Sequence, residues 1–149
     1  MIADKLAEVH WYEHTGIGRV EEKIKWLELT PAMKVKLIEK KSNGIEYQDL
    51  TLNNVYQVIG LEADEYRIIN DEGQPYLYPP GIFIIVNPTE PDDWLTEYGE
   101  DGERYAYPPE LGRVGFFEDY FDDDPEAMAV FRQYLVKQQM LRSLTAKAA

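Results

Sequence analysis

The chain contains no cysteine among its 149 residues. This absence excludes disulfides, thiol nucleophiles and thiolate metal sites, so any chemistry must use oxygen or imidazole groups. Serine is scarce as well, because Ser42 and Ser143 are the only two and neither has a histidine nearby in the sequence. The stretch TGIGRV lacks the third glycine and the lysine of a phosphate-binding loop. Little material remains for an enzyme, and no cofactor is expected.

The sequence also lacks long hydrophobic runs, although 44% of its residues are hydrophobic. A membrane-spanning helix needs about 18 to 20 consecutive apolar residues, and no stretch approaches this length. The N-terminal sequence MIADKLAEVH has no long apolar region of the kind found in signal peptides. We therefore expect a cytoplasmic protein without a membrane partner, and the chain length predicts a single domain over residues 1–149.

Basic residues are nearly absent from one long segment. Residues 87–126 contain 14 Asp or Glu and only Arg104 and Arg113, which gives a net charge of −12. The whole chain carries −13, because the first 86 residues have a net charge of −5 and the last 23, which contain no acid, +4. Such a block repels nucleic-acid backbones and membrane surfaces and favours basic partners. We therefore expect a basic protein partner and no direct binding of nucleic acid.

Hydrophobic spacing predicts an N-terminal helical segment over residues 1–30, although RVEEKIKWLELTP within it fits a helix and a strand equally well. From Met33 the apolar residues alternate instead. MKVKLIEK and IEYQDL, on either side of the turn SNG, indicate a hairpin. Further short runs rich in β-branched and aromatic residues continue to residue 86. Residues 33–86 therefore predict a five-stranded meander, which would close into a small barrel to avoid exposed edges.

The stretch LTLNNVYQVIGLEADEYRIINDEGQPYLYPPGIFIIVN resembles the small SH3-like barrels of bacterial and phage proteins. In these, a strand with the pattern YxVIG leads to YRIINDEGxPYLYP and then to a closing strand that begins with Phe. The resemblance covers roughly the middle third of the chain. It implies an SH3-like barrel over residues 33–86 and a binding module of the kind found in accessory and immunity-type proteins, and it carries no catalytic residues.

Beyond the barrel, residues 87–124 have turn residues at nearly every step, which predicts an irregular segment. Its many aromatics argue that the segment is ordered, because disordered chains are poor in them. Asp122 to Asp124 then offer a helix N-cap, Pro125 suits the first helical position, and an apolar stripe predicts a C-terminal helix over residues 125–143. The predicted fold is α+β: a helical segment, an SH3-like antiparallel barrel, an acidic aromatic wrap and a C-terminal helix.

Residues 10–14 read HWYEH, which is the His-x-x-Glu-His spacing of inverted zinc hydrolases. On a helix, His10 and His14 share one face and could bind zinc while Glu13 polarises a bound water. The chain has no cysteine to act as a third ligand, although a carboxylate of the acidic segment could substitute, and TGIG follows the motif in place of a sustained helix. A zinc-dependent hydrolase that uses these residues is an alternative to the main hypothesis, and packing of the motif within the fold is the simpler interpretation.

The main hypothesis is that the acidic aromatic segment binds a protein. Aromatic anchors rimmed by charges have the composition of an interface, in which rings supply contact and carboxylates supply steering. The predicted contact residues are Trp94, Tyr98, Phe116, Phe117, Tyr120 and Phe121. The predicted charged residues are Glu97, Glu100, Asp101, Glu103, Glu118, Asp119, Asp122, Asp123 and Asp124.

A basic enzyme that binds phosphates is the natural target of such a surface. The hypothesis has two versions: an immunity protein that neutralises a basic, nuclease-like toxin, or a nucleic-acid mimic that inhibits a DNA-binding enzyme. A solvated surface that only keeps the chain soluble is the competing interpretation. The C-terminal bases could also mask part of the charge, and an assembly subunit of a phage or secretion system is a further alternative. The sequence leaves the oligomeric state open.

Overall fold

The structure is a computed structural model that describes residues 32–147, with side chains described for residues 32–139. The predicted N-terminal helical segment and the HWYEH motif with His10, Glu13 and His14 lie outside these residues. Of the described helices, none combines the length and the apolar character needed to cross a bilayer.

Antiparallel strands dominate the described chain, and two helices follow them. The strands are β1 (Lys34–Leu37), β2 (Lys41–Ser42), β3 (Ile45–Glu46), β4 (Val55–Glu62), β5 (Glu65–Ile69), β6 (Pro75–Tyr78), β7 (Phe83–Asn87), β8 (Leu95–Tyr98) and β9 (Arg104–Tyr107). The helices are α1 (Phe116–Phe121) and α2 (Pro125–Lys147), and short 3-10 turns occur at Pro80–Ile82 and Pro109–Leu111. The α+β class predicted from the sequence is confirmed.

Seven strands form one sheet, and five of them follow the order β6-β5-β4-β1-β7. The remaining two extend it, because β9 pairs with β4 and β8 pairs with β9. All pairings are antiparallel. The last strand of the meander, β7, therefore returns to lie beside the first, β1, after the 3-10 turn at Pro80–Ile82.

Side chains from the strands of this sheet form most of the hydrophobic core. Val35 and Leu37 alternate with lysines along β1 and are fully buried, as the sequence pattern predicts. They join Val58, Ile68 and Ile82 in a single hydrophobic cluster that is contained within residues 33–106. At about 25 cal/mol per Å² of buried apolar surface, such a cluster is the main source of the stability of the sheet.

The predicted hairpin around SNG is only partly present. Asn43 and Gly44 have positive φ angles of 51° and 80°, which a two-residue hairpin turn of type I′ requires. The turn joins only the two-residue strands β2 and β3. The preceding strand β1 pairs with β4 and β7 instead, so the prediction that MKVKLIEK pairs across SNG is wrong. Between β4 and β7, the backbone hydrogen-bonding groups on both edges of β1 find partners, which the short hairpin could not provide.

The C-terminal helix begins where the sequence predicts and extends to Lys147. Asp124 caps it, because its Oδ2 accepts a hydrogen bond from the Ala127 backbone N–H at 2.9 Å. Pro125 occupies the first helical position, where its missing N–H has no cost. Asp123, with a φ of 61°, is the left-handed residue that separates α1 from α2.

The described residues fall into two compact units, one ending at Val114 and one beginning at Gly115. The first contains every described strand, and the second contains α1 and α2. The acidic segment predicted as an irregular wrap is thus divided between the two units. It is also more regular than predicted, because it contains the β8–β9 hairpin and α1.

Candidate protein-binding surface

The first half of the predicted binding segment forms the β8–β9 hairpin. Its two strands pair in a regular register from Leu95 opposite Tyr107 to Tyr98 opposite Arg104. The connection closes with a hydrogen bond from the Gly99 N–H to the Glu103 carbonyl at 2.8 Å. Gly102 has a φ of 82°, a conformation that glycine adopts without strain. The glycines of EYGEDGERY therefore allow a tight acidic turn.

Trp94 and Arg104 hold the base of the hairpin in place. Trp94 is partly buried and packs against the hydrophobic core. Arg104 forms a two-pronged ion pair with Glu90, with nitrogen–oxygen distances of 3.0 and 2.5 Å. Planar pairs of this kind fix geometry as well as charge. Trp94 was predicted as a contact residue, and the structure gives it an anchoring role.

The inner strand, β9, is attached to the sheet by a buried polar network. Arg67, only 6% exposed, donates to the Tyr107 hydroxyl at 3.0 Å, to the Pro75 carbonyl at 2.8 Å and to Glu62 at 2.6 Å. The Tyr107 hydroxyl in turn donates to Glu62. Burial raises the pKa of Tyr107 above its ordinary value, and Arg67 opposes this shift. A rigid sheet therefore supports the hairpin from one side.

The outer strand, β8, is exposed along its whole length. Tyr98 is 71% exposed and Leu95 is 61% exposed, both high values for such large side chains. Glu97 on the strand and Glu100 and Asp101 in the turn are also exposed, and Glu103 is half-buried. The predicted hairpin residues other than Trp94 thus lie together on one accessible element.

The charge on this element is unbalanced. Residues 90–105 contain seven Asp or Glu and only one base, Arg104, which gives a net charge of −6. Arg104 is already paired with Glu90. The other carboxylates of the stretch, which include Asp92 and Asp93, make no ion pair with any residue that the structure describes. A negative potential with little local compensation follows.

The second half of the predicted segment lies in the helical unit. Phe116 and Phe117 are only 2% and 5% exposed, pack edge to face at 4.9 Å, and Phe117 reaches Phe131 of α2 at 6.2 Å. Tyr120 is half-buried and also contacts Phe131, at 5.0 Å. These rings hold α1 against α2, so Phe116 and Phe117 do not present a contact surface.

Other predicted residues of α1 and the loop after it are accessible. Phe121 is 40% exposed, and Glu118, Asp122 and Asp123 are exposed. Asp119 is half-buried, and Asp124 uses its carboxylate to cap α2. This unit therefore offers a smaller acidic surface with one accessible ring.

Several exposed residues of β8 are absent from the sequence-based prediction. Leu95 and Thr96 are exposed on the edge strand, and Asp92 and Asp93 precede it. Alternation in WLTEY is a weak strand signal that could have identified them. The turn-rich surroundings hid this signal.

A second polar cluster connects the loop before β4 to the β5–β6 turn. The Tyr78 hydroxyl donates to Asp49 at 2.6 Å, and the Tyr56 hydroxyl donates to Asp71 at 2.8 Å. Asn70 donates to Asp49 at 3.1 Å. Burial is the main cause that raises the pKa values of Tyr56 and Tyr78. Both carboxylates accept hydrogen bonds within the fold, so this cluster stabilises two loops.

Among residues 32–139, no group of three or more His, Asp or Glu side chains is arranged to hold a metal ion. The residues of the alternative zinc hypothesis, His10, Glu13 and His14, are not among those described.

The chain matches no protein-family model, no curated protein and no solved structure.

Proposed function

We propose that this protein is a non-enzymatic acidic binder that neutralises a basic protein, in the manner of an immunity protein. The observation that carries the proposal is the β8–β9 hairpin, in which exposed Tyr98 and Leu95 lie among carboxylates that pair with no base in the described part of the chain. Its supports are rigid, because Trp94 and the Glu62–Arg67–Tyr107 network attach it to the core.

Rings and carboxylates have separate tasks in this proposal. Exposed Tyr98 and Leu95 supply apolar area, and tyrosine is enriched among the residues that dominate interface energetics. The surrounding carboxylates accelerate encounter with a positive surface and disfavour acidic partners. A surface used only for hydration has no need of a tyrosine that is 71% exposed. This combination favours docking over simple solubility.

The expected partner is a basic enzyme whose own ligand carries phosphates, such as a nuclease-like toxin. A carboxylate array can occupy a site that otherwise holds a nucleic-acid backbone, because both present closely spaced negative charge. Exposed Glu118, Phe121 and Asp122 provide a second surface of the same composition.

The SH3-like interpretation of the sheet belongs to this proposal. It is supported by the strand order β6-β5-β4-β1-β7, in which the first strand, β1, lies between β4 and β7. The 3-10 turn at Pro80–Ile82, just before β7, supports it as well. In this proposal the five strands form a small SH3-like barrel, a fold that serves as a binding module in many contexts.

Affinity capture from the cell of origin tests the proposal with two charge-matched variants. The first, Glu97→Gln/Glu100→Gln/Asp101→Asn, neutralises the hairpin. The second, Glu39→Gln/Glu46→Gln/Glu72→Gln, removes three exposed carboxylates elsewhere on the sheet unit. We expect the unmodified protein and the second variant to retain the same basic protein at low ionic strength, with release by salt, and the hairpin variant to lose it.

The retained protein should have an activity on nucleic acid that the unmodified chain inhibits in a purified assay. Equal retention by both variants, or retention that does not depend on salt, would contradict binding led by the hairpin carboxylates.

A further inference from the structure

The outer edge of β8 is a sheet edge without a partner in the described part of the chain. β8 pairs only with β9, and β9 lies between β8 and β4. An open edge presents backbone N–H and C=O groups that can accept another strand. The hydrogen-bonding pattern shows which residues present these groups.

Antiparallel pairing alternates, so each residue of β8 points its backbone groups either toward β9 or away from it. Gly99 bonds to Glu103, and two residues earlier Glu97, opposite Tyr105, therefore also points inward. On β9, the Arg104 carbonyl accepts instead from the Ala63 N–H of the β4 side at 2.8 Å. Ala106 and Arg104 pair with Thr96 and Tyr98. The backbone N–H and C=O groups of Thr96 and Tyr98 must therefore point outward, away from β9.

All four side chains of this edge strand are exposed. Its charge controls what can pair there. In a pairing of β8 with a second copy of itself, Glu97 and the acidic turn would meet their own counterparts, which like-charge repulsion disfavours. Carboxylates of this kind protect an edge from self-association and leave it open to a strand of opposite charge.

We infer that the outer edge of β8 accepts an extended basic segment of the partner as an added antiparallel or parallel strand, held by the N–H and C=O groups of Thr96 and Tyr98. This inference rests on the proposed function and specifies how the partner binds. The added strand carries Arg or Lys at alternate positions, where the side chains face Glu97 and the neighbouring carboxylates. Leu95 lies on the same face as Glu97 and offers apolar contact to the stems of these basic side chains, and Tyr98, on the opposite face, offers its ring to the intervening residues.

A comparison with another edge strand, β7, shows why a basic strand should bind at β8. It also exposes aliphatic side chains, Ile84, Ile85 and Val86. Its neighbour β1, however, contributes Lys34 and Lys36, which pair in register with Asn87 and Ile84. A basic strand is repelled there and attracted at β8. The amides of β7 therefore provide an internal control.

Amide hydrogen exchange on the full-length, isotope-labelled protein tests this inference. The probe is an acetylated and amidated six-residue peptide that alternates arginine and valine. The matched control has the same sequence with every backbone amide N-methylated, which keeps the charge and removes the donors. We expect the first peptide at saturation to slow exchange of the Thr96 and Tyr98 amides about tenfold or more, with β7 unchanged, and the second to leave them fast.

Two variants test the edge from the protein side. Thr96→Pro removes an outward N–H that the β8–β9 pairing does not use, and Thr96→Ala keeps it. Binding of the peptide should weaken about tenfold in Thr96→Pro and remain unchanged in Thr96→Ala. Retention of the hairpin in both variants is checked by the amide shifts of Glu97 and Tyr105.

Equal binding of the two peptides, or binding without protection of Thr96 and Tyr98, would overturn strand addition. A failure of both peptides to bind would also overturn strand addition. The proposed function would survive each of these results if the hairpin carboxylates still retained a basic protein in a salt-dependent manner. Loss of that retention, with strand addition intact, would instead contradict the proposed function.

Discussion

At the scale of single residues, burial changes the acid–base chemistry of several tyrosines. The pKa values of Tyr56, Tyr66, Tyr78 and Tyr107 are all raised, and loss of solvent is the largest cause in each. For Tyr66 it is the only cause, which makes this residue the simplest to interpret. A raised pKa means that the folded protein disfavours the ionised phenol, so these side chains couple folding to alkaline pH.

Replacement of Tyr66 by Phe isolates one such contribution. The folded state holds the proton more tightly than the unfolded state, in which tyrosine ionises near pH 10. The contribution of the neutral phenol is therefore complete below about pH 10 and is lost as the pH rises through the folded-state value. We expect the free energy of unfolding of Tyr66→Phe to decline less steeply above about pH 10 than that of the unmodified protein.

Urea unfolding at intervals from pH 7 to 11 measures this difference. The ring is retained in the variant, and Tyr66 packs against Phe83 in a tilted arrangement with a centroid distance of 5.9 Å, so its packing should change little at neutral pH. Parallel stability profiles for the two proteins above pH 10 would show that Tyr66 does not contribute to the alkaline transition.

Residue composition alone does not separate buried rings from exposed ones. FFEDYF contains four rings: Phe116 and Phe117 are buried, Tyr120 is half-buried against Phe131, and Phe121 is 40% exposed. Phe117 contacts Phe131 of the next helix, α2, and Phe116 packs in turn on Phe117. Tyr98 has no such partner ring among the described residues and is exposed. Helical periodicity over six residues is too short to specify which side of α1 is covered.

At the scale of elements, the ring of Tyr107 on β9 lies directly against the backbone of β4. The reason is Gly60, which has no side chain where the Tyr107 ring lies. A Cβ atom at Gly60 would come within 2.0 and 2.3 Å of two carbons of that ring. The glycine of the YQVIG strand therefore makes room for the tyrosine that attaches β9 to Arg67 and Glu62.

Replacement of Gly60 by Ala should displace the Tyr107 ring and destabilise the sheet unit by about 1 to 3 kcal/mol, the usual cost of overpacking. The matched control is Gly81→Ala, because an added Cβ there meets nothing within 4 Å. That control should lie within about 0.5 kcal/mol of the unmodified protein. Denaturant unfolding gives both values, and equal stabilities for the two variants would contradict the close packing of the Tyr107 ring on Gly60.

Elements with a local signal were predictable, and those set by distant pairing were not. The C-terminal helix follows from Asp124, Pro125 and a stripe of apolar residues, all within one continuous stretch of sequence. The partners of β1 lie about 20 and 50 positions away, and no turn residue specifies them. The sequence does not predict β8, because this four-residue strand is surrounded by turn signals.

At the scale of the whole molecule, the hydrophobic core belongs to one compact unit. Every member of the buried cluster lies between Met33 and Ala106, and the unit ends at Val114. The helical unit has its own aromatic contacts around Phe131. The sequence predicts a single domain over residues 1–149, and the behaviour of fragments decides whether the two units fold together.

We expect residues 31–114 to fold without the rest of the chain, because a domain that contains its own hydrophobic core and the pairing partners of all its strands needs no further support. The control fragment, residues 31–87, lacks β8 and β9. It leaves Arg67 without the Tyr107 hydroxyl and should unfold at lower denaturant concentration, since loss of a buried hydrogen-bond partner costs about 1 to 3 kcal/mol.

Dispersed amide spectra and cooperative unfolding measure both fragments. If residues 31–114 gave the spectrum of an unfolded chain while the full-length protein remained folded, the sheet unit would depend on residues outside it, and the single-domain prediction would be supported.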